Sequence, residues 1–255
     1  MPFVQIEVDD QIAVLTLNRP EKRNAFNYPF LRELQQQFES IARNPEIRLL
    51  ILTAAGETVF SSGVDLNELI RFKEIEEARR FALQLEQTNE ALLKLPKPVI
   101  AVINGHALGG GFGLASNADI RLLAETATIG FPAVRLGAIL PAGCTLRLNA
   151  LIGAGHSREL LMSGRLVHAQ EAKQLGLVNE VWPAERLMER AFEIAVSVLN
   201  ASDQALMMTK QLVNQELIVQ IQQYALASSE NFAYLAFTQE WQKRIKAFLE
   251  NKNAK

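Results

Sequence analysis

Short apolar-rich runs at residues 3–8 and 12–17 flank the polar triplet Asp9-Asp10-Gln11, a pattern that predicts two strands joined as a hairpin. Asn27-Tyr28-Pro29 then offers a helix cap and an early proline. Phe30, Leu31, Leu34, Phe38 and Ile41 follow on one helical face, and the pattern stops at Asn44-Pro45. Arg48–Thr53 reads as a strand, and Ala54 to Asp65 as a loop with Gly and Ser that leads into a second helix. A longer helix is predicted over roughly residues 75–94. It ends before Pro96 and Pro98, because a residue preceding proline is pushed out of the helical region. Pro98–Ile103 is apolar without interruption, as expected of a strand buried on both faces, and runs into the glycine-rich stretch Asn104–Gly113. Further short strands are predicted at Asp119–Leu123, Thr128–Ile129 and Leu177–Val181, and from Ala184 onward the pattern is helical almost throughout.

Strand–helix alternation followed by a helical tail specifies an α/β fold, with a core over residues 1–183 and an α-helical C-terminal region over 184–255. The tail carries Ile218, Ile221, Tyr224, Ala225, Phe232, Tyr234, Leu235 and Phe237 on more than one face. Such a surplus of apolar faces fits either a well-buried terminal unit or a subunit interface. The pattern alone leaves both open.

Composition narrows the function classes without selecting one. The 255 residues are 49% hydrophobic and 21% charged, with a net charge of −2, as in an ordinary globular domain. The basic excess that nucleic acid or an anionic membrane surface requires is missing, so neither is an expected partner. The N-terminus lacks the basic segment and long apolar run of a signal peptide, and no apolar run approaches a membrane span. A single cysteine, Cys144, precludes an internal disulfide and suits a reducing compartment, so a soluble cytoplasmic protein is the expectation. Three widely spaced histidines and one cysteine make a His/Cys metal site unexpected.

Two glycine-bearing loops carry the candidate chemistry. In Val59-Phe-Ser-Ser-Gly-Val-Asp-Leu-Asn-Glu-Leu69, Gly63 precedes a helix start with Asp65 in its first turn, which leaves backbone N–H groups free above the helix. By itself such a turn more often only reverses the chain. In Ile103-Asn-Gly-His-Ala-Leu-Gly-Gly-Gly-Phe-Gly113, three successive glycines let a backbone approach a ligand where a Cβ would intrude. The dinucleotide spacing G-x-G-x-x-G is missing, and no Gly-Lys-Ser/Thr follows as in a P-loop. Close helix packing and an oxyanion hole remain as readings of this run.

The ordered set F-S-S-G-V-D-L, P-x-P-V-I-A-V-I-N-G-H-A-L-G-G-G, A-D-I-R and L-G-x-x-x-x-A-G resembles the crotonase (enoyl-CoA hydratase/isomerase) superfamily over nearly the whole chain. Asn18-Arg-Pro-Glu-Lys-Arg-Asn-Ala25 and Ile245-Lys-Ala-Phe-Leu249 match its terminal patterns as well. The resemblance implies a spiral of β-β-α units with a helical C-terminal trimerisation subdomain, assembled as a homotrimer or a dimer of trimers. It implies an acyl-CoA thioester as partner, in fatty-acid metabolism, by a lyase or isomerase. Coenzyme A is then part of the substrate and no separate cofactor is implied. An oxyanion hole is implied at the backbone N–H groups of Val64 and Gly110. Carried over the same way, Ser61, Ser62, Gly63, Asp65 and Leu66 line the adenine end of the CoA pocket, and Arg23 and Ala25 its pantetheine and phosphate region. His106 and Gly109 belong to the same substrate-binding set. Lys243, Arg244, Lys246 and Lys252 of the last helix either add charge near the CoA phosphates or form a solvated face.

The pattern breaks where the family places its acids. The three positions that carry them correspond here to Gly113, Ala133 and Pro141, none of which ionises. General acid–base groups contribute about 10²–10⁴-fold each, so ordinary hydration is expected to be close to background. Of other groups, His106 and Arg135 lie near the motifs, Glu68 is expected to face solvent, Asp65 to cap a helix, Asp119 to pair with Arg121 or backbone, and Cys144 to be a buried thiol. Three readings follow. One is enolate chemistry with unconventional or substrate-assisted proton transfer, such as decarboxylation of a malonyl-type thioester. Another is a non-catalytic acyl-CoA-binding or oligomeric interaction protein. An RNA-binding role is disfavoured by the acidic balance.

Overall fold

The structure is a computed structural model that describes residues 2–253, with side chains through Glu250. Strands β1 (Val4–Asp9) and β2 (Ile12–Leu17) form the expected antiparallel hairpin, with Val4 opposite Leu17 and Asp9 opposite Ile12. Its turn places Asp10 and Gln11 at positive φ (40° and 72°), the twist that suits a two-residue hairpin. Helix α1 (Tyr28–Arg43) is capped by Asn27, whose side chain accepts the Phe30 N–H at 2.9 Å, and the five apolar residues read from its spacing are the ones it buries.

Beyond α1 the chain repeats one unit. Strand β3 (Leu49–Ala54) is followed by β4 (Val59–Ser61), the short helix α2 (Leu66–Leu69) and the long helix α3 (Ile75–Leu93). Strand β5 (Val99–Ile103) is followed by β6 (His106–Leu108) and α4 (Gly110–Ala115). Strand β7 (Ile120–Ala124) is followed by β8 (Thr128–Gly130), a 3-10 turn (Pro132–Leu136) and α5 (Ala142–Ser163). In each unit the first strand joins a six-stranded sheet and the second a smaller one. The large sheet runs β1-β2-β3-β5-β7-β10, parallel except for the hairpin, and ends at β10 (Glu180–Trp182). The small sheet runs β4-β6-β8-β9, with β9 (Leu166–His168) antiparallel at its edge. This is the β-β-α spiral.

Three expectations shift. The loop from Ala54 to Asp65 contains strand β4, and the glycine-rich stretch contains strand β6; both are three residues long, β4 pairing with β6 and β6 also with β8. The strand expected at Leu177–Val181 forms later, at Glu180–Trp182, because Leu177 and Val178 turn into the core after α6 (Ala169–Leu175).

The helical region begins with α7 (Leu187–Leu199) and continues through α8 (Asp203–Ala236) and α9 (Gln239–Asn253). Leu187, Ala191 and Ala195 of α7, Phe232, Ala233 and Ala236 of α8, and Trp241 and Ile245 of α9 are buried in the same hydrophobic cluster as both sheets. Burial of apolar surface at about 25 cal/mol per Å² is what holds these helices to the spiral. Among the described residues no helix is long and apolar enough to cross a membrane.

Candidate functional site

Parallel pairing of β4, β6 and β8 delivers three loops to one end of the small sheet. The loop after β4 carries Ser62, Gly63, Val64 and Asp65, the turn after β6 carries Gly109 and Gly110, and the segment after β8 carries Ala133. Backbone bonds lock them together. The Gly109 N–H donates to Gly130 O (2.8 Å), Phe26 N–H to Gly63 O (2.7 Å), Asp65 N–H to Phe26 O (2.8 Å) and Ser62 N–H to Arg23 O (3.0 Å). The Ser61 hydroxyl donates to Asn24 O at 2.8 Å. The residues expected to flank CoA therefore converge: Arg23 is exposed at the rim, Ala25 and Ser61 are buried beneath it, and Leu66 opens α2 beside them.

The two glycine loops touch. A methyl group placed on Gly63 would lie 2.7 Å from Leu108 O and 3.1 Å from the Gly110 nitrogen, and one on Gly110 would lie 3.7 Å from Val64 Cγ1. Gly109 takes φ 52°, ψ −122°, which side chains beyond glycine strongly resist, and so turns Gly110 into the first position of α4. A first-turn N–H has no acceptor within its own helix. Among the described residues, no intrachain hydrogen bond engages the N–H of Val64 or of Gly110. Two adjacent unpaired donors are what an oxyanion requires.

Charged groups near this frame hold it rather than line it. Asp65 caps α2 by accepting the Asn67 N–H (3.1 Å) and pairs with Arg19 at 2.9 Å, while Arg19 also donates to Ala25 O. Glu68 does not face solvent: it is half-buried, and both its oxygens accept the Tyr28 N–H at 3.1 Å. Burial raises its carboxyl above the ordinary range. Asp119 pairs with Lys210 at 2.8 Å and accepts the Val99 N–H, whereas Arg121 turns to Leu177 O and Ala118 O. The backbone alternative of the sequence expectation holds at Val99, while the charged partner is not Arg121 but Lys210 of α8, 91 residues away. His106 Nδ1 accepts the Thr128 N–H at 3.0 Å, which leaves only Nε2 for a ligand. Arg135 is exposed and donates to Ser163 O. On α9, Lys243, Arg244 and Lys246 are exposed, and Arg244 pairs with Glu240 at 2.8 Å. The side chain of Lys252 lies outside the described residues.

The three acid-less positions lie near these loops on different elements. Gly113 is buried in α4, one turn from Gly110; Ala133 sits partly exposed in the 3-10 turn; Pro141 is buried at the cap of α5. The space that a Gly113 side chain would use is filled, since its Cβ would overlap Cys144 Sγ. Cys144 is fully buried, and desolvation raises its thiol well above the ordinary value, so it is a packing group as expected.

Sequence reading passed over Glu86. It lies on α3, only 4% exposed, and its carboxylate accepts the Gly143 N–H with both oxygens (2.9 and 3.2 Å). Burial pushes its carboxyl up to about 7. The signal was legible: Ala82, Glu86, Asn89 and Leu93 share one helical face, so a glutamate interrupts a buried stripe.

A cleft of about 350 Å³ elsewhere is bordered by Arg43, Arg48, Lys97 and Asp203. Arg48 pairs with Asp203 there, and Lys97 caps α1 through Ile41 O and Asn44 O, so its charges are used in holding the fold. Among the described residues no His, Cys, Asp and Glu cluster suits a metal ion.

Comparison with known proteins places the chain in a family. The family model described as enoyl-CoA hydratase/isomerase matches residues 7–255. A putative enoyl-CoA hydratase/isomerase, YngF, of Bacillus subtilis is 37% identical over 96% of this chain and 94% of its own. A short-chain-enoyl-CoA hydratase of Clostridium acetobutylicum is 35% identical over 98% and 95%. Among solved structures, human mitochondrial delta3-delta2-enoyl-CoA isomerase superposes with a TM-score of 0.93 at 26% identity, covering 99% of this chain and 98% of its own. An enoyl-CoA hydratase from Bacillus halodurans gives 0.91 at 26%, covering 96% and 99%. With its spiral fold, its touching glycine loops and a family match over almost its full length, the chain belongs to the enoyl-CoA hydratase/isomerase, or crotonase, family.

Proposed function

We propose that the protein binds an acyl-CoA thioester with the carbonyl oxygen between the N–H groups of Val64 and Gly110, and that it stabilises the enolate formed at the α-carbon. The observation that carries this is the pair of adjacent donors without intrachain partners. As a substituent leaves or joins the α-carbon, charge builds on the carbonyl oxygen, and dipoles already in place need no reorganisation to meet it. One such donor is worth about 2.7–4 kcal/mol of barrier. CoA follows the rim from Arg23 and Ala25 to Ser61–Leu66, and the exposed cations of α9 meet its phosphates. The names of the relatives, short-chain-enoyl-CoA hydratase and crotonyl-CoA hydratase among them, support enoyl thioesters as the class.

The reaction differs from that of an ordinary hydratase. Hydration needs one group to activate water and another to protonate carbon, and Gly113 and Ala133 supply neither. Crotonyl-CoA hydration is therefore slow in this reading although the thioester binds. The same vacancies favour, as a second reading, acyl-CoA binding without turnover. Titration calorimetry with butyryl-CoA tests the shared claim. Micromolar binding is expected, with at least a tenfold loss in Gly110→Pro, which removes a donor and adds a ring beside Val64. Absence of binding to the wild-type protein at high micromolar concentration would refute both readings.

A further inference from the structure

Position 113 and the cap of α5 are occupied by Gly113 and Pro141, yet a carboxylate reaches this place from another element. Glu86 on α3 lies against Gly143, two residues beyond Pro141, and the next residue, Cys144, fills the volume beside Gly113. A methyl group on Gly143 would overlap the Glu86 carboxylate, as one on Gly113 would overlap Cys144 Sγ. Three small features thus meet at the start of α5: a glycine, Gly143, that makes room for the carboxylate, a thiol, Cys144, in the space beside Gly113, and the carboxylate itself. A cavity of about 10 Å³ opens beside Glu86 and Pro141, between α3, α5 and α8, about the room for one water molecule.

The charges around Glu86 leave it free to exchange a proton. Glu90, on its own helix, is the one charged residue that acts on it, and it disfavours ionisation. Pro141 at the cap of α5 and Ser229 and Phe232 from α8 line the cavity beside it uncharged, and the thiol of Cys144 on α5 lies close enough to feel its charge. No cation neutralises Glu86 among the described residues. A carboxylate that served only as a cap for α5 needs neither complete burial nor a glycine cleared for it, because any short polar side chain beside Pro141 would do the same.

We propose that Glu86 is the catalytic carboxylate of this site, taking a proton from the α-carbon of a β,γ-unsaturated acyl thioester and returning it at the γ-carbon. The inference rests on the thioester reading above. In the forward step the α C–H bond breaks, its electron pair forms a double bond between the carbonyl carbon and the α-carbon, and the carbonyl π pair moves onto the oxygen held by Val64 and Gly110, giving a dienolate. The proton resides on Glu86. It then adds to the γ-carbon through the β,γ electron pair, while the pair between the carbonyl carbon and the α-carbon becomes the α,β double bond and the carbonyl re-forms, so the product is the α,β-unsaturated isomer and no other reactant is needed. One carboxylate suffices for this, whereas hydration needs two groups.

The test uses 3-butenoyl-CoA with the full-length protein in D₂O, following isomerisation and deuterium at the γ-carbon. The wild-type protein is expected to isomerise it, with kcat rising through an inflection near pH 7, where Glu86 ionises. Glu86→Gln keeps an acceptor for the Gly143 N–H. It is expected to lose at least about 100-fold in kcat, with KM unchanged within about threefold and the inflection gone. Glu86→Asp is expected to retain the inflection at reduced kcat. Binding of 3-butenoyl-CoA without isomerisation by the wild type overturns the assignment of Glu86 and leaves the thioester reading standing. So does a Glu86→Gln variant as fast as wild type, or, where that variant does not fold, a Glu86→Asp variant with unchanged kcat. Failure of the wild type to bind any CoA ester removes the thioester reading and this inference with it.

Discussion

Glu86 shows how one residue ties stability to pH. Its carboxyl is held near 7 in the folded chain because burial disfavours the charge more than the Gly143 N–H favours it. Unfolded, it returns to about 4.3. A folded-state value above the unfolded one means that the native protein holds the proton more tightly. The associated stability is complete below about pH 4 and is lost as pH rises through 7. At about 1.4 kcal/mol per unit, that loss amounts to roughly 4 kcal/mol as an upper bound. Glu86→Gln, which cannot ionise, is expected to unfold at higher denaturant concentration than wild type at pH 8. The gap should close toward pH 4 in urea titrations followed by circular dichroism. A constant gap at both pH values would show that Glu86 keeps an ordinary ionisation in the native state. A polar residue in the middle of a buried helical stripe is visible in the sequence, but what it faces depends on Gly143, 57 residues away.

At the scale of elements, the packing of α4 on α5 depends on Gly113 having no side chain. Gly113→Ala forces its Cβ into Cys144 Sγ and is expected to destabilise by about 1–3 kcal/mol, the usual range for overpacking. Cys144→Ala alone leaves a small void and is expected to cost about 1 kcal/mol. In the double variant the added methyl group faces the Cβ of residue 144 at an ordinary 3.5 Å, so the total should fall below the sum of the singles. Additive urea-denaturation values would show that the two helices do not share that volume. It also follows that Gly113→Glu alone is a poor route to hydratase activity until Cys144 is made smaller. Long elements such as α1 and α3 were legible because each contains several turns of one apolar stripe. Strands β4, β6 and β9 were not, because three residues carry no period and their stability comes from partners distant in sequence.

For the whole molecule, the open matter is what covers α8. This helix buries Leu217, Ile221 and Phe232 but leaves Leu212 and Val213 more than 70% exposed and Tyr234 68% exposed, with Tyr224 and Leu226 also open. Surplus apolar surface on a terminal helix marks an association face, and we propose that α8 and its neighbours join copies of this chain as a trimer or a pair of trimers. Light scattering is expected to return three or six times 28.4 kDa. A constant 28.4 kDa across concentration would exclude that assembly and any CoA contact from a neighbouring subunit.

What the sequence determined by itself was local or repetitive. Helical stripes, the all-apolar Pro98–Ile103 run and the ordered glycine motifs are each confined to a short stretch of chain, so chain geometry alone makes them readable. The family followed from those motifs. The tertiary structure decided which atoms meet. It set Gly63 against Gly110 through the parallel pairing of β4 with β6, turned Glu68 inward to Tyr28, joined Asp119 to Lys210, and brought Glu86 to the cap of α5. Each of these contacts spans 40 or more residues, and a one-dimensional pattern can mark a carboxylate set in an apolar stripe but not the partner it meets.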